Sequence, residues 1–378
     1  MLEIADIFRE VGQAYRARFG ARMLPSHSKA MRDIELCRTA ALGGQLSTCD
    51  RCGESEYSYH SCRNRHCPKC HRDRTERWLA AWRPRLLPCG YFLLTFTLPE
   101  ELRSVARAHQ KAVYGALLQS ASSSLLKLAA DPRYLGARPG MIAVLHTWTR
   151  DMRYHPHVHI LVTAGGLDRA GERWVASKNP AFLLPCRALS VIFRAKVRDA
   201  LQQADLVAGL PSRTWRRKWV VHCQHAGTGE KVLEYLGRYV HRIAIANSRL
   251  ESFDGERVVF RYRDNRSGEI RRCQLEAQDF LGRFLQHVLP RSFVKIRSYG
   301  LYSSGCRPAL ELARQAIPRF TRDANSDTAS GAAVDGSSDE PDSVALRTCP
   351  RCRLGRLHVV ADLLPTRTRA PPCIRAPP

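Results

Sequence analysis

The residues best suited to chemistry stand in one short run, YHPHVHILV, residues 154–162. Alternate side chains of a strand share a face. The run therefore sends His155, His157 and His159 one way and Val158 and Ile160 into a core. Two imidazoles spaced i, i+2 make half of a divalent-metal site. A second apolar run upstream, VLHTW, supplies His146 as a third ligand if the two strands pair. Three histidines leave coordination positions open for water and a phosphate oxygen. A single His-x-His carries little weight; three alternating histidines with a fourth upstream, framed by apolar β residues, carry more. The competing reading is a set of satisfied core or rim histidines.

A second constellation is KVLEYLGRYVHR, residues 231–242. Tyr235 and Tyr239, four residues apart, share one face of a helix, beside Arg238 and Arg242. A phenol with a pKa of about 10 is a poor nucleophile near neutrality. It becomes useful when a metal polarises a phosphodiester and a base takes its proton. Attack on phosphorus gives a phosphotyrosine and a free 3′-OH. The bond energy is retained, so the reaction can be reversed or passed to a second strand, and two tyrosines permit two sequential transfers. Taken alone, Tyr-x3-Tyr is a packing stripe; the histidine run changes its meaning.

The third constellation is thiol. The chain has fourteen cysteines, and the paired C-x2-C spacings point to zinc rather than to disulfides. Cys49-x2-Cys52 and Cys67-x2-Cys70, separated by 14 residues, predict a four-thiolate tetrahedral site. Cys62 and His66 lie in the same stretch as alternates, and Cys37, His60 and His71 are further donors; His66 reads more readily as a packing or DNA-facing residue. Arg51, Arg63, Arg65, Lys69, Arg72, Arg74 and Arg77 crowd the same stretch. They read as guanidinium and ammonium groups offered to phosphates, or else as a solvated basic face. A lone knuckle, Cys349-x2-Cys352, stands near the other end. Cys89, Cys186, Cys223, Cys273 and Cys306 are isolated and predict buried small hydrophobes.

These groups need elements to hold them. Residues 1–35 read as amphipathic helix and 36–75 as the zinc module. Trp78, Trp82 and Leu86 in TERWLAAWRPRLL have helical spacing and predict core. YFLLTFTL (91–98) predicts a strand, central in its sheet. Residues 100–130, 183–206, 229–246 and 275–289 read as helix. MIAVLHTWT (141–149) and VHILVTA (158–164) read as strands, and VVFRYRD, from Val258, as a surface strand. After Pro318 the composition turns to Ser, Ala, Asp and Gly, a linker signature.

Charge narrows the partner. The chain of 378 residues carries 60 Lys+Arg against 35 Asp+Glu, a net charge of +25. Residues 322–342 hold six acidic residues and one Arg, so the remainder carries +30. Such an excess points to a polyanion, most simply nucleic acid. At 44% hydrophobic residues the chain is not wholly disordered. No long uncharged apolar run predicts a membrane span, and the acidic amino terminus is not a signal peptide. An intracellular, cytoplasmic protein is expected, with no membrane partner.

Together FTLP (96–99), HPHVH (155–159) and YLGRY (235–239) resemble the HUH-type two-tyrosine transposases of bacterial insertion sequences, most closely the insertion sequence ninety-one family. SCRNRHCPKC (61–70) is similar to that family's amino-terminal zinc-binding domain, and residues 280–304 to a late block of the family. The resemblance covers about residues 10–310. Gln45 stands where many relatives have His, and the acidic linker and carboxy-terminal end depart from the pattern. The resemblance implies an α+β fold, a relaxase-like antiparallel sheet flanked by helices and preceded by a small zinc-binding domain. It implies rolling-circle-like cleavage and rejoining of single-stranded DNA at the element's ends through a 5′-phosphotyrosine. Its cofactors are structural Zn2+ and catalytic Mg2+ or Mn2+, and host replication proteins are further partners. Carried over, His157 and His159 match the two HUH histidines and Tyr235 and Tyr239 the nucleophiles; His146 as third ligand is a geometric inference.

The expected organisation is a zinc-binding, DNA-contacting domain over 1–85 and a nuclease domain over 86–310. A flexible acidic linker over 311–345 and a largely disordered tail over 346–378 follow. Expected DNA contacts are Arg63, Arg65, Lys69, Arg72, Arg238 and Arg242. Rival readings are a plasmid replication initiator or relaxase with the same chemistry, a non-catalytic zinc DNA-binding protein, and a zinc hydrolase acting on a small molecule. The chain lacks HExxH, and its charge favours a nucleic-acid substrate over a small one.

Overall fold

The structure, a computed structural model, describes residues 2–179, 181–228, 231–232, 236–237, 240, 244–264, 267–317 and 347–366, with the side chains of 71–73 excepted. It mixes helices with antiparallel sheets. Two compact units form, one of Met1–Glu35 with Arg63–Ile317 and one of Leu36–Cys62 with Pro318–Pro378. The breaks fall elsewhere than the expected 85/86 and 310/311. One reason is that helix Ile4–Phe19 belongs with helix Ala277–Leu285: the rings of Phe8 and Phe284 meet edge to face at 5.2 Å.

The first unit is built on five strands: β1 (Gly90–Thr97), β2 (Gly140–Trp148), β3 (Tyr154–Thr163), β4 (Val221–Thr228) and β5 (Ile296–Gly300). All pairs are antiparallel, in the order β5–β2–β3–β1–β4. The strand expected to be central, β1, is interior, while β3 occupies the middle. Strands covered on both faces read as continuous apolar runs, which is why β1, β2 and β3 were visible in the sequence. On one face Phe92, Leu94, Phe96, Val158, Ile160 and Val162 pack against helices Gln110–Ala129 and Cys186–Gln203. Phe96 meets Phe193 edge to face at 5.1 Å, both fully buried, each burial stabilising by roughly 1.5–3 kcal/mol.

The other face carries Tyr91, Ile142, Val144 and Leu161. Against them pack Val232, Leu236 and Val240, and Leu310 and Ala313 of helix Arg307–Ala316. Val232, Leu236 and Val240 recur every four residues, and the Val240 amide donates to the Leu236 carbonyl at 2.8 Å, a helical bond. Pro156 sits inside β3, where a missing N–H would break a ladder. The β2–β3 register shifts beside it, between His146 and Trp148. Such an irregularity is where a strand tolerates proline and where side chains are re-aimed.

The second unit centres on a three-stranded antiparallel sheet, Leu357–Leu363, Gly44–Cys49 and Ser55–Tyr59 in that order. This corrects the expectation of a largely disordered tail: residues 347–366 are ordered, because LHVVADL finds the free edge of strand Gly44–Cys49. The expected linker is corrected at its start, since residues 311–316 finish helix Arg307–Ala316. Residues 318–346 lie outside the described residues. Among the described residues no helix is long and apolar enough to cross a membrane.

Candidate functional site

Strand pairing assembles the histidines. His146 on β2 is the cross-strand partner of His157 on β3, and Val144 that of His159. Directly opposed residues of an antiparallel pair project to the same face, so the three imidazoles converge. Their ring centroids lie 5.5 Å apart for His146 and His157, 4.8 Å for His146 and His159, and 4.9 Å for His157 and His159. One ring nitrogen of each falls within 4.8 Å of the others. Ligands about 2.1 Å from a common ion lie up to ~4 Å apart, so small side-chain adjustments fit the set to one cation.

Neighbours orient each ring. His157 Nδ1 donates to the His155 carbonyl at 2.7 Å, leaving Nε2 as the lone-pair donor. His159 Nδ1 bonds Thr95 Oγ1 at 3.1 Å, and Thr95 is its cross-strand partner on β1. His146 is buried and stacks on Trp148 at 4.7 Å. Desolvation pushes His157 down to about 4, against a smaller upward pull from the His155 carbonyl. His155 shares the strand face but not the cluster. Its Nδ1 accepts from Arg103 at 3.1 Å, and its pKa is lowered by desolvation first, then by Arg103 and Arg153. A cavity of about 300 Å³ opens over the trio, with Arg150 and Arg249 among its lining. Arg249 is braced by the Arg261 carbonyl at 2.8 Å and by the Arg150 carbonyl.

Thr95, Arg103, Arg150 and Arg249 were not anticipated. A faint signal existed for Thr95: with Thr97 it alternates through an otherwise apolar strand, opposite His159 and His157. Tyr235, Tyr239, Arg238 and Arg242 lie outside the described residues.

The thiols assort differently from the expected set. Cys49 and Cys52 are brought together with Cys349 and Cys352, not with Cys67 and Cys70. The two pairs have identical spacing to their rivals, so local sequence could not separate the alternatives. Cys67 and Cys70 are both buried, the Cys70 amide donating to the Cys67 carbonyl at 3.2 Å. Cys62 lies beside Cys37, its amide donating to Cys37 Sγ at 3.5 Å. His66 joins no thiol group among the described residues. Its Nε2 accepts the Leu289 amide at 3.2 Å, and desolvation, ahead of nearby Arg65, drives its pKa well down.

The basic residues also divide. Arg65 is turned inward, donating to the carbonyls of Phe293 and of Pro290, the latter at 2.6 Å. Lys69 is only 16% exposed and pairs with Glu3 at 2.5 Å. Both have partners within the chain. Arg63 is exposed, in the left-handed region at φ 52°. The side chain of Arg72 is outside the description.

Comparison with known proteins locates these features. Residues 140–309, which include the histidines, match a family model described as "Putative transposase". Residues 7–98 match one described as "Transposase zinc-binding domain"; this match includes Cys49 and Cys52 but ends long before Cys349. The chain is 38% identical to the protein named "Putative transposase y4qJ" of Sinorhizobium fredii, over 98% of each chain. It is 32% identical to the "Transposase for insertion sequence element IS801" of Pseudomonas savastanoi pv. phaseolicola, over 72% of each. No solved structure matches the chain.

Proposed function

Because this chain belongs to the insertion sequence ninety-one (IS91) family of transposases, we propose that it cleaves and rejoins single-stranded DNA at its element's ends through a 5′-phosphotyrosine. The observation that carries the reading is the convergence of His146, His157 and His159 beneath an open cavity. A divalent cation at such a site supplies Lewis-acid polarisation of the scissile phosphate. The trio would hold it, with Thr95 and the His155 carbonyl fixing ring orientation. Imidazole donors favour Mn2+ over Mg2+ in affinity. Arg150 and Arg249 stand where the cleft would receive the DNA backbone.

Tyr235 and Tyr239 are the proposed nucleophiles. Their neighbours Val232, Leu236 and Val240 pack on the histidine-bearing face of the sheet, which supports that assignment. Attack by the phenol oxygen forms the Tyr–O–P bond and breaks the P–O3′ bond. The phenol proton is balanced by the proton taken up at the leaving 3′-oxygen, so no co-reactant is needed. Reversal with another 3′-OH rejoins the strand. Arg63, Arg72, Arg238 and Arg242 remain proposed DNA contacts. Host replication proteins would supply or fill single strands.

The test is direct. Single-stranded oligonucleotides bearing the element's ends, incubated with the chain and Mn2+, should yield a covalent adduct mapped by mass spectrometry to the peptide holding Tyr235 and Tyr239. Adduct on another residue, or cleavage without adduct, refutes the proposal.

A further inference from the structure

We propose that Cys49, Cys52, Cys349 and Cys352 hold one structural zinc ion, clasping the amino-terminal ribbon to a knuckle about 300 residues later. The argument stands on geometry. Cys49 Sγ lies 3.7 Å from Cys352 Sγ, and Cys52 Sγ lies 3.7 Å from Cys349 Sγ. Four thiolates about 2.3 Å from a tetrahedral zinc are ~3.8 Å apart, whereas a disulfide brings sulfurs to about 2.05 Å. All four thiols lie within 4.8 Å of one another.

The two knuckles are built alike. The Gly53 amide donates to the Cys49 carbonyl at 3.1 Å, and the Arg353 amide to the Cys349 carbonyl at 3.0 Å. The residue after each second cysteine is left-handed, Gly53 at φ 69° and Arg353 at φ 58°. The Cys49 amide donates to Glu54, and the Cys349 amide to Gly355. Backbone donors also reach sulfur: the Arg51 amide to Cys49 at 3.5 Å, the Gly355 amide to Cys352 at 3.2 Å. A Cβ on Gly355 would stand 2.5 Å from Cys49 Sγ, so the close approach of the knuckles requires glycine there.

The surroundings hold the halves in register. Strand Gly44–Cys49 pairs with Leu357–Leu363, Cys49 opposite Leu357. Asp50 Oδ1 accepts the Arg356 amide at 2.8 Å, Arg347 pairs with Glu56 at 2.9 Å, and Arg351 pairs with Glu54. The clasp is independent of the cleavage chemistry, and its test does not read cleavage.

Zinc is measured per purified full-length chain. Cys349→Ser with Cys352→Ser should lose one zinc relative to the parent, and so should Cys49→Ser with Cys52→Ser. The four-fold variant should lose one and not two, because the pairs share an ion. Undiminished zinc in the first variant overturns the clasp. A second measurement needs no substitution: iodoacetamide labelling of the zinc-replete chain, read by peptide mass spectrometry. Cys52 is exposed, so burial alone cannot shield it. Cys49, Cys52, Cys349 and Cys352 should label at least about ten-fold faster, and together, after chelation. Equal labelling of Cys349 and Cys352 before and after chelation overturns the clasp.

Discussion

His146 and His157 face each other across adjacent antiparallel strands, although eleven positions separate them in sequence. The β2–β3 connection is short, so a single hairpin carries the whole trio. The convergence of the imidazoles is therefore set by strand register, and a one-residue slip would send them to the opposite face.

Removing a ring or its support should separate metal binding from folding. His146→Ala, or His157→Ala with His159→Ala, should reduce cleavage by more than about 100-fold, since even outer-shell partners of a metal site are worth 10–100-fold. Thr95→Val, which takes only the hydroxyl from His159, should weaken Mn2+ binding by about ten-fold. Titration of Mn2+ against each variant measures both, with circular dichroism confirming the fold.

Single Tyr235→Phe and Tyr239→Phe variants should keep some oligonucleotide cleavage while transposition falls sharply. The double variant should form no covalent adduct. Phenylalanine retains the ring and loses only the reacting oxygen, so unfolding does not explain a loss. An adduct surviving in the double variant would falsify the two-tyrosine assignment.

Arg65 and Arg63 should part company although they are two residues apart. Arg65→Met takes the guanidinium donors from the carbonyls of Phe293 and Pro290, the latter keeping the Phe293 amide at 3.2 Å, and should destabilise the chain by about 1 kcal/mol, seen as a lower denaturant midpoint. Arg63→Asn suits a left-handed backbone and removes a surface cation. It should leave stability unchanged and lower the salt slope of DNA binding by about one.

Acid should weaken the fold through His287. This residue is 4% exposed, and its Nε2 donates to the Met152 carbonyl at 3.0 Å. Desolvation, opposed in part by that carbonyl, lowers its pKa to about 4 from the usual 6.5. Between those values the unfolded chain binds a proton that the folded chain refuses. Stability therefore falls as pH drops from 6.5 toward 4, by a slope of order 1 kcal/mol per pH unit. His287→Gln should flatten that part of the curve in urea titrations at stepped pH.

Much of the first unit was legible because its strands are covered on both faces and declare themselves as apolar runs. The alternation of HPHVH foretold which side chains would share a face, and one pairing assumption sufficed to bring in His146. β4 was illegible: VHCQHAGT is a polar edge strand with no apolar run. The partners of Arg65 and Lys69 were not legible because composition reveals charge but not direction: Arg65 turns toward the Phe293 and Pro290 carbonyls and Lys69 toward Glu3. The thiol sorting was hidden for a different reason. C-x2-C spacing describes half a site completely and says nothing about its other half, and the nearest knuckle in sequence was not the partner in space.

The pairing of strand Gly44–Cys49 with Leu357–Leu363 also sets a timetable for biosynthesis. At about 5–20 residues per second on the ribosome, the first strand waits on the order of 15–60 seconds for its second neighbour to be made. During that interval one edge of the growing ribbon stays open, and its thiols must avoid other chains and oxidants. A message cut short before residue 357 would yield polypeptides with that edge unsealed.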